Sequence, residues 1–382
     1  MELRPRVCVS VSKQLKDVYV SERTGCVYAA GNQLLAKFGF GEAMKVGNER
    51  REVPLDQDVW RFAVSEELGV LFIGFWVAAQ ALPVQVHRLS DLSLETKFGS
   101  FGIVNKLAVR GDIVLVGCQA EISLYRYVQG LPPVLEHYYS FPVTPNLRDV
   151  AISFKHPGLY VVSTNQKVEF FPSVFHPKAT QATPPEIQPV LAQTLQLFNN
   201  FNPQPLNAST SQISGCTDRK TKLKAWQAFV SNGIQLISCT LSLTEDRLYT
   251  GTSSGSLFCY DSHKGSLLFQ VSICRGSWIY DLLEQRGRLY CASNSGSIIT
   301  FDCASLEFRS NSFHSRNPTG LACHSTKNIL VSVAMDFTLR VFNLCDPKRF
   351  ILKGTSAEGK LLSGICLQKN RRIIRAKRLA IK

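Results

Sequence analysis

The chain has 382 residues, 45% apolar and 19% charged, with a formal net charge of +14. That balance suits a soluble, globular protein with ample material for a core, and the positive excess points toward an acidic or polyanionic partner. Twelve cysteines are scattered without a C-x-x-C pair, and seven histidines form no ligand-spaced set, so zinc finds no support.

In chain order, the start "MELRPRVCVSVSK" has no apolar core of a secretory signal, and its segment 6–12 alternates like a strand. Residues 15–38 read as two strands around Gly31-Asn32. Next comes the apolar run Leu68 to Val84, 17 residues long. It is at the lower limit for a membrane helix, carries Gln80 and Pro83, and opens on a β-rich stretch, so it reads as a buried strand and a loop. Residues 104–127 and 147–171 repeat the strand–turn–strand pattern.

The region 172–213 breaks it, holding Pro172, Pro177, Pro184, Pro185, Pro189, Pro203 and Pro205 of the chain's 17 prolines. Proline removes ladder donors, so no interior strand is expected there. The region reads as a surface loop, or as a docking loop whose Phe198 and Phe201 order on a partner. Residues 214–229, with Trp226, then resemble one more copy of the pattern.

The clearest signal lies at 236–350. "YTGTSSGSLFCYD" (249–261), "YCASNSGSIITFD" (290–302) and "LVSVAMDFTLRVFN" (330–343) recur every 41 residues, with Tyr260, Phe301 and Phe342 in step, as are Asp261, Asp302 and Asn343. Each unit holds about four short strands around a tight hairpin at Ser254-Gly255, Ser295-Gly296 or Asp336-Phe337. One four-stranded unit cannot bury both faces; stacked in a ring, each leans on the next through its aromatic.

These residues resemble the WD-repeat β-propeller family, whose third strand ends in Trp-Asp where this chain has Tyr260-Asp261, Phe301-Asp302 and Phe342-Asn343. Asp336 is the one turn aspartate among the clear copies, so the resemblance does not extend to a repeated Asp–His–Ser network. The expected architecture is all-β: a single propeller of four-stranded antiparallel blades over 1–367, seven in number by family habit. The 89 residues from Phe171 to Tyr260 span nearly two periods, which keeps eight open, with Trp226 as the extra plug; the Pro-rich stretch would otherwise be an insertion within a blade.

"GTSAEGKL" (354–361) has P-loop spacing but places Leu361 where magnesium needs a hydroxyl, so no nucleotide cofactor is expected. There is no G-x-S-x-G elbow, and the histidines stand apart, so no catalysis is expected. The tail 368–382 is the sharpest charged feature: Lys369, Arg371, Arg372, Arg375, Lys377, Arg378 and Lys382 carry seven positive charges without an acid. It reads as a ring-closing strand, a contact for nucleic acid or an acidic partner, an import signal, or a solvated basic end with no specific partner. The resemblance implies a non-catalytic scaffold in an intracellular assembly, cytoplasmic or nuclear, with other proteins as partners, no membrane and no small-molecule substrate. The alternative is a subunit of a ribonucleoprotein or RNA-processing complex that touches RNA through the basic surface and tail.

Overall fold

Short β-rich runs separated by turn residues fold here as antiparallel meanders, each strand pairing with the next in sequence. The computed structural model describes residues 3–40, 46–76, 81–153, 155, 158–172, 174–175, 210–212, 226–230, 233–344 and 374–375. After β1 (Arg4–Ser10), blade 1 comprises β2 (Leu15–Val20), β3 (Val27–Gly31), β4 (Leu34–Phe40) and β5 (Val46–Pro54). Blade 2 is β6 (Val59–Ser65), β7 (Val70–Phe75), β8 (Leu82–Arg88) and β9 (Leu94–Phe101). Blade 3 is β10 (Lys106–Arg110), β11 (Ile113–Gly117), β12 (Glu121–Val128) and β13 (Val134–Pro142). Blade 4 is β14 (Leu147–Ser153), β15 (Gly158–Ser163) and β16 (Lys167–Pro172), completed by β17 (Thr210–Gln212) and β18 (Trp226–Phe229).

Blade 5 is β19 (Leu236–Leu241), β20 (Arg247–Thr252), β21 (Ser256–Asp261) and β22 (Leu267–Ser272). Blade 6 is β23 (Ile279–Gln285), β24 (Arg288–Ser293), β25 (Ser297–Asp302) and β26 (Glu307–Ser312). Blade 7 is β27 (Pro318–His324), β28 (Ile329–Ala334) and β29 (Thr338–Asn343), with β1 as its fourth strand. A two-residue strand, β30 (Ile374–Arg375), lies against β26. The first strands of neighbouring blades touch one another around the circle, so they line the axis of a seven-bladed propeller.

The count is seven and not eight because β18 pairs with β16. Trp226 therefore belongs to an outer strand of blade 4 and starts no blade of its own, and the Pro-rich stretch falls inside that blade's sequence. Ring closure joins the two ends of the circle by the pairing of β1 with β29, from Arg4↔Asn343 to Ser10↔Thr338. The apolar run that raises the membrane question supplies β7, buried at every residue. Among the described residues, no helix is long and apolar enough to cross a membrane.

Burial follows the seams. Seven apolar clusters each join two successive blades. Tyr260, Phe301 and Phe342 stand at one register position, opposite Leu248, Leu289 and Leu330, and none has exposed surface. The same position holds Phe38, His87, Tyr125 and Phe171 in blades 1 to 4. Every blade thus offers a ring-bearing side chain there. In blade 2 it is a buried histidine, with Nδ1 2.9 Å from the Leu92 carbonyl and Nε2 3.0 Å from Gln85 Oε1.

The repeated acids finish the third strands. Asp261 Oδ1 accepts the N–H groups of His263 and Lys264, and Asp302 Oδ1 those of Ala304 and Ser305. Both are turn-forming carboxylates. At the hairpins Gly255 and Gly296 take φ of +79° and +80°, and Phe337 takes +64° at the equivalent place. A Cβ on Gly255 would run into the Cys274 carbonyl oxygen, which explains why two of the three copies keep glycine.

Candidate functional site

The first strands begin on one face of the ring. There, a bulge in every blade but the third re-aims the second or third residue of the strand. Pairing with the second strands aligns Asp17, Arg61, Lys106, Asp149, Ser238, Asp281 and Gly320, one per blade. This ring frames the mouth of the central channel.

Its aspartates fasten blade to blade. Asp17 accepts from its neighbour Val18 N–H at 2.9 Å and from Phe62 N–H of blade 2 at 3.2 Å. Asp149 accepts from Val150 N–H at 2.8 Å and from Cys239 N–H of blade 5 at 2.8 Å. Asp281 accepts from Leu282 N–H at 2.9 Å and from Leu321 N–H of blade 7 at 2.7 Å. The remaining seams use other groups. Lys106 Nζ meets Asp149 Oδ1 at 2.6 Å, Ser238 Oγ donates to the Ile279 carbonyl, and Thr319 Oγ1 donates to the Leu15 carbonyl. Between blades 2 and 3 the contact is backbone, Val104 N–H to the Phe75 carbonyl at 3.5 Å.

Crowding of charge sets the electrostatics. Burial, and then the charge of Asp149, pushes the Asp281 carboxyl up to about 7. Burial also raises Asp17, against the pull of Arg61 and of the Phe62 N–H. Lys106 is disfavoured by burial, yet Asp149 outweighs that and holds its ammonium above the ordinary value. Burial and the nearby Arg61 charge lower Arg148. Lys16 is lowered by burial, with Asp58 opposing and Arg61 adding to the effect.

Aromatic side chains stand beside the cations. Lys16 Nζ lies 5.5 Å and the Arg61 guanidinium 5.3 Å from the Trp60 ring centre. Trp60 packs on Trp76 at 4.4 Å, and Trp76 remains 42% exposed. Trp278 and Tyr280 form a second aromatic pair at 5.9 Å. From this ring a cavity of about 380 Å³ runs along blades 3 to 6, lined by Asp149, Asp281, Glu245 and Glu284 together with Lys106, so acids outnumber cations on that side.

A second cluster imitates a catalytic triad. In blade 7, His314 Nδ1 is 3.0 Å from Asp336 Oδ2 and its Nε2 is 2.7 Å from Ser332 Oγ. The composition is that of a nucleophile, base and orienting acid. However, Ser332 has no exposed surface, and the His314 and Asp336 side chains are 0% and 3% exposed. Asp336 also accepts from Ser315 N–H and from Thr338. No substrate atom can reach the serine, so the line locks a hairpin to the loop before its blade. Cys239, beside the channel ring, is likewise poor as a nucleophile, because burial drives its thiol well above its usual value. Among the described residues, no group of three or more His, Cys, Asp or Glu could hold a metal ion.

The residues singled out from the sequence scatter across the molecule. Tyr260, Phe301 and Phe342 lie in seams, Asp261 and Asp302 in turns, and Asp336 in the blade 7 network. Phe198, Phe201, Lys369, Arg371, Arg372, Lys377 and Arg378 lie outside the described residues, as does 354–361, while Arg375 sits on β30 opposite Glu307. The channel ring escaped sequence reasoning, although it left a trace: "LKDV" (15–18), "LRDV" (147–150) and "IYDL" (279–282) repeat an aspartate inside a β-rich run. Aspartate is depleted in strands, so its recurrence there signals bonded carboxylates. No family model matches the chain, and no curated protein matches it.

Proposed function

We propose that this propeller is a non-catalytic scaffold that holds other proteins in an intracellular multiprotein assembly. The observation that supports the reading best is the seam-by-seam locking of the ring: side-chain and backbone bonds tie the inner strands, and β1 pairs with β29 to close the circle. A ring locked in this way presents its loops at fixed spacing and needs no moving part. Among the described residues, the His314–Asp336–Ser332 line is sealed from solvent. Kinship with WD-repeat propellers is supported by blade 7, where Asp336, His314 and Ser332 combine with the Phe342 plug. Free thiols inside the seams, such as Cys259 and Cys291, suit a reducing compartment, cytoplasmic or nuclear.

The second reading, contact with RNA, rests on the seven positive charges of the tail. Affinity purification of the full chain, with and without nuclease and with and without residues 368–382, separates the two. The scaffold reading expects the same protein partners in all four samples. Nucleic acid that co-purifies at low salt, is lost at high salt and depends on the tail would replace it with the second.

A further inference from the structure

The cations at the channel mouth are not used up by the fold. Lys106 has its carboxylate, Asp149. Lys16, Arg61 and Arg148 have no carboxylate within 4.0 Å among the described residues, and all three are half-buried. Lys16 and Arg61 share the Trp60 ring, Arg148 adjoins Asp149 of the channel ring, and the Arg61 charge weighs against the charge of both. Half-buried like charges persist where an anion completes the group. The Trp60–Trp76 pair adjoins them and leaves Trp76 open to solvent.

We infer that the mouth is a docking site for an acidic segment of a partner protein, its carboxylate seated on Lys16, Arg61 and Arg148 and an adjacent apolar side chain on Trp76. The inference rests on the scaffold reading and names the surface and chemistry that reading lacks. Charge complementarity selects the occupant. The chain's own tail carries no acid and cannot serve. A nucleic acid strand fits poorly on two counts. Asp17, Asp149 and Asp281 line the same ring and repel a run of phosphates. The Trp60 ring is already engaged by Lys16, Arg61 and Trp76, so it offers no free platform to a base. A single carboxylate beside an apolar group meets the cations and avoids the acids. Arginine adds directionality, because its fork matches a carboxylate in bidentate fashion.

The test is a titration of the full chain with a short fluorescent peptide carrying one glutamate beside a leucine, against a matched peptide with lysine in place of that glutamate and a uridine oligonucleotide. The glutamate peptide is expected to bind and to weaken with salt. Arg61→Gln and Arg148→Gln are each expected to weaken it by about tenfold or more, the scale of a charged hydrogen-bonded contact. Trp76→Ala is expected to weaken it several-fold with the salt dependence unchanged. Thermal unfolding checks that each variant stays folded. Equal binding of the glutamate and lysine peptides, glutamate binding indifferent to Arg61 and Arg148, or tighter Arg61-dependent binding of the oligonucleotide each overturns the inference. Protein partners that co-purify equally with the wild type and Arg61→Gln would leave the scaffold reading standing while removing this site. Absence of any protein partner would remove the scaffold reading itself.

Discussion

In blades 1, 4 and 6 the channel-facing position of the first strand holds an aspartate with both oxygens engaged by backbone N–H groups; in blades 2 and 3 it holds Arg61 and Lys106. The backbone is alike in both arcs. What differs is how far the side chain is consumed. A carboxylate that accepts from its own strand and from the next blade is a fastener, and it has little left for a ligand. The Arg61 guanidinium at the same register donates to the Trp60 carbonyl at 3.3 Å and lies over the Trp60 ring, and no carboxylate stands within 4.0 Å of it among the described residues. Lys106 is consumed as the aspartates are, by Asp149 of the next blade, so Arg61 alone of these five side chains lacks a side-chain or backbone bond to a neighbouring blade among the described residues.

The sharpest way to break that comparison is to remove one member of each arc. Asp149 is 8% exposed and gathers two N–H groups and the Lys106 ammonium. Asp149→Ala would leave a half-buried cation and two donors without their acceptor, at a cost of about 3 kcal/mol in denaturant unfolding. Arg61→Ala removes a half-buried cation from a crowd of cations and is expected to change stability by less than about 1 kcal/mol. Equal losses would show that both arcs are structural.

Smaller in size but more specific is the pH dependence of the Asp281 seam. Its folded carboxyl titrates at about 7, above the unfolded value near 3.8. The folded state holds that proton more tightly, so this group's contribution is complete below about pH 4 and is lost as pH rises through 7. Asp281→Asn removes the titration and forfeits part of the hydrogen bonding at every pH. The variant is therefore expected to start out less stable and to regain ground on the wild type by on the order of 2 kcal/mol between about pH 5 and pH 8. A difference between the two proteins that stays flat over this range would mean that Asp281 is charged throughout and that the acids of the ring do not crowd one another.

Legibility in the sequence follows the same division between local and long-range causes. Blades 5 to 7 can be read because hairpin, plug and turn acid all lie within one period of 41 residues, as Gly255, Tyr260 and Asp261 do. Blade 2 hides because its plug is His87, a residue no apolar pattern flags. The apparent eighth landmark, Trp226, came from chain inserted between β16 and β18, which restored a spacing of two periods by coincidence of length. The channel ring hides for a deeper reason: its bonds join residues of different blades, such as Asp149 and Cys239, 90 positions apart. Only the strand-interior aspartates, residues ill-suited to strands, leave a mark that reading along the chain can find.

Phe337 carries the finest version of the contrast between copies. It takes the left-handed conformation, φ +64°, that Gly255 and Gly296 take in blades 5 and 6, and it is 39% exposed. Left-handed backbone costs a residue with a Cβ about 1 kcal/mol or more, and glycine almost nothing. The ring of Phe337 is partly in solvent, while its carbonyl accepts from Val11 N–H, just beyond the β1 strand that closes the circle. Phe337→Gly keeps that carbonyl and relieves the strain, at the expense of some ordering entropy and the buried part of the ring. The expected outcome is a gain of about 0.5 kcal/mol in unfolding free energy with binding at the channel mouth unchanged. A loss instead would mean that the Phe337 side chain, and not only its backbone, holds the closing strand in place.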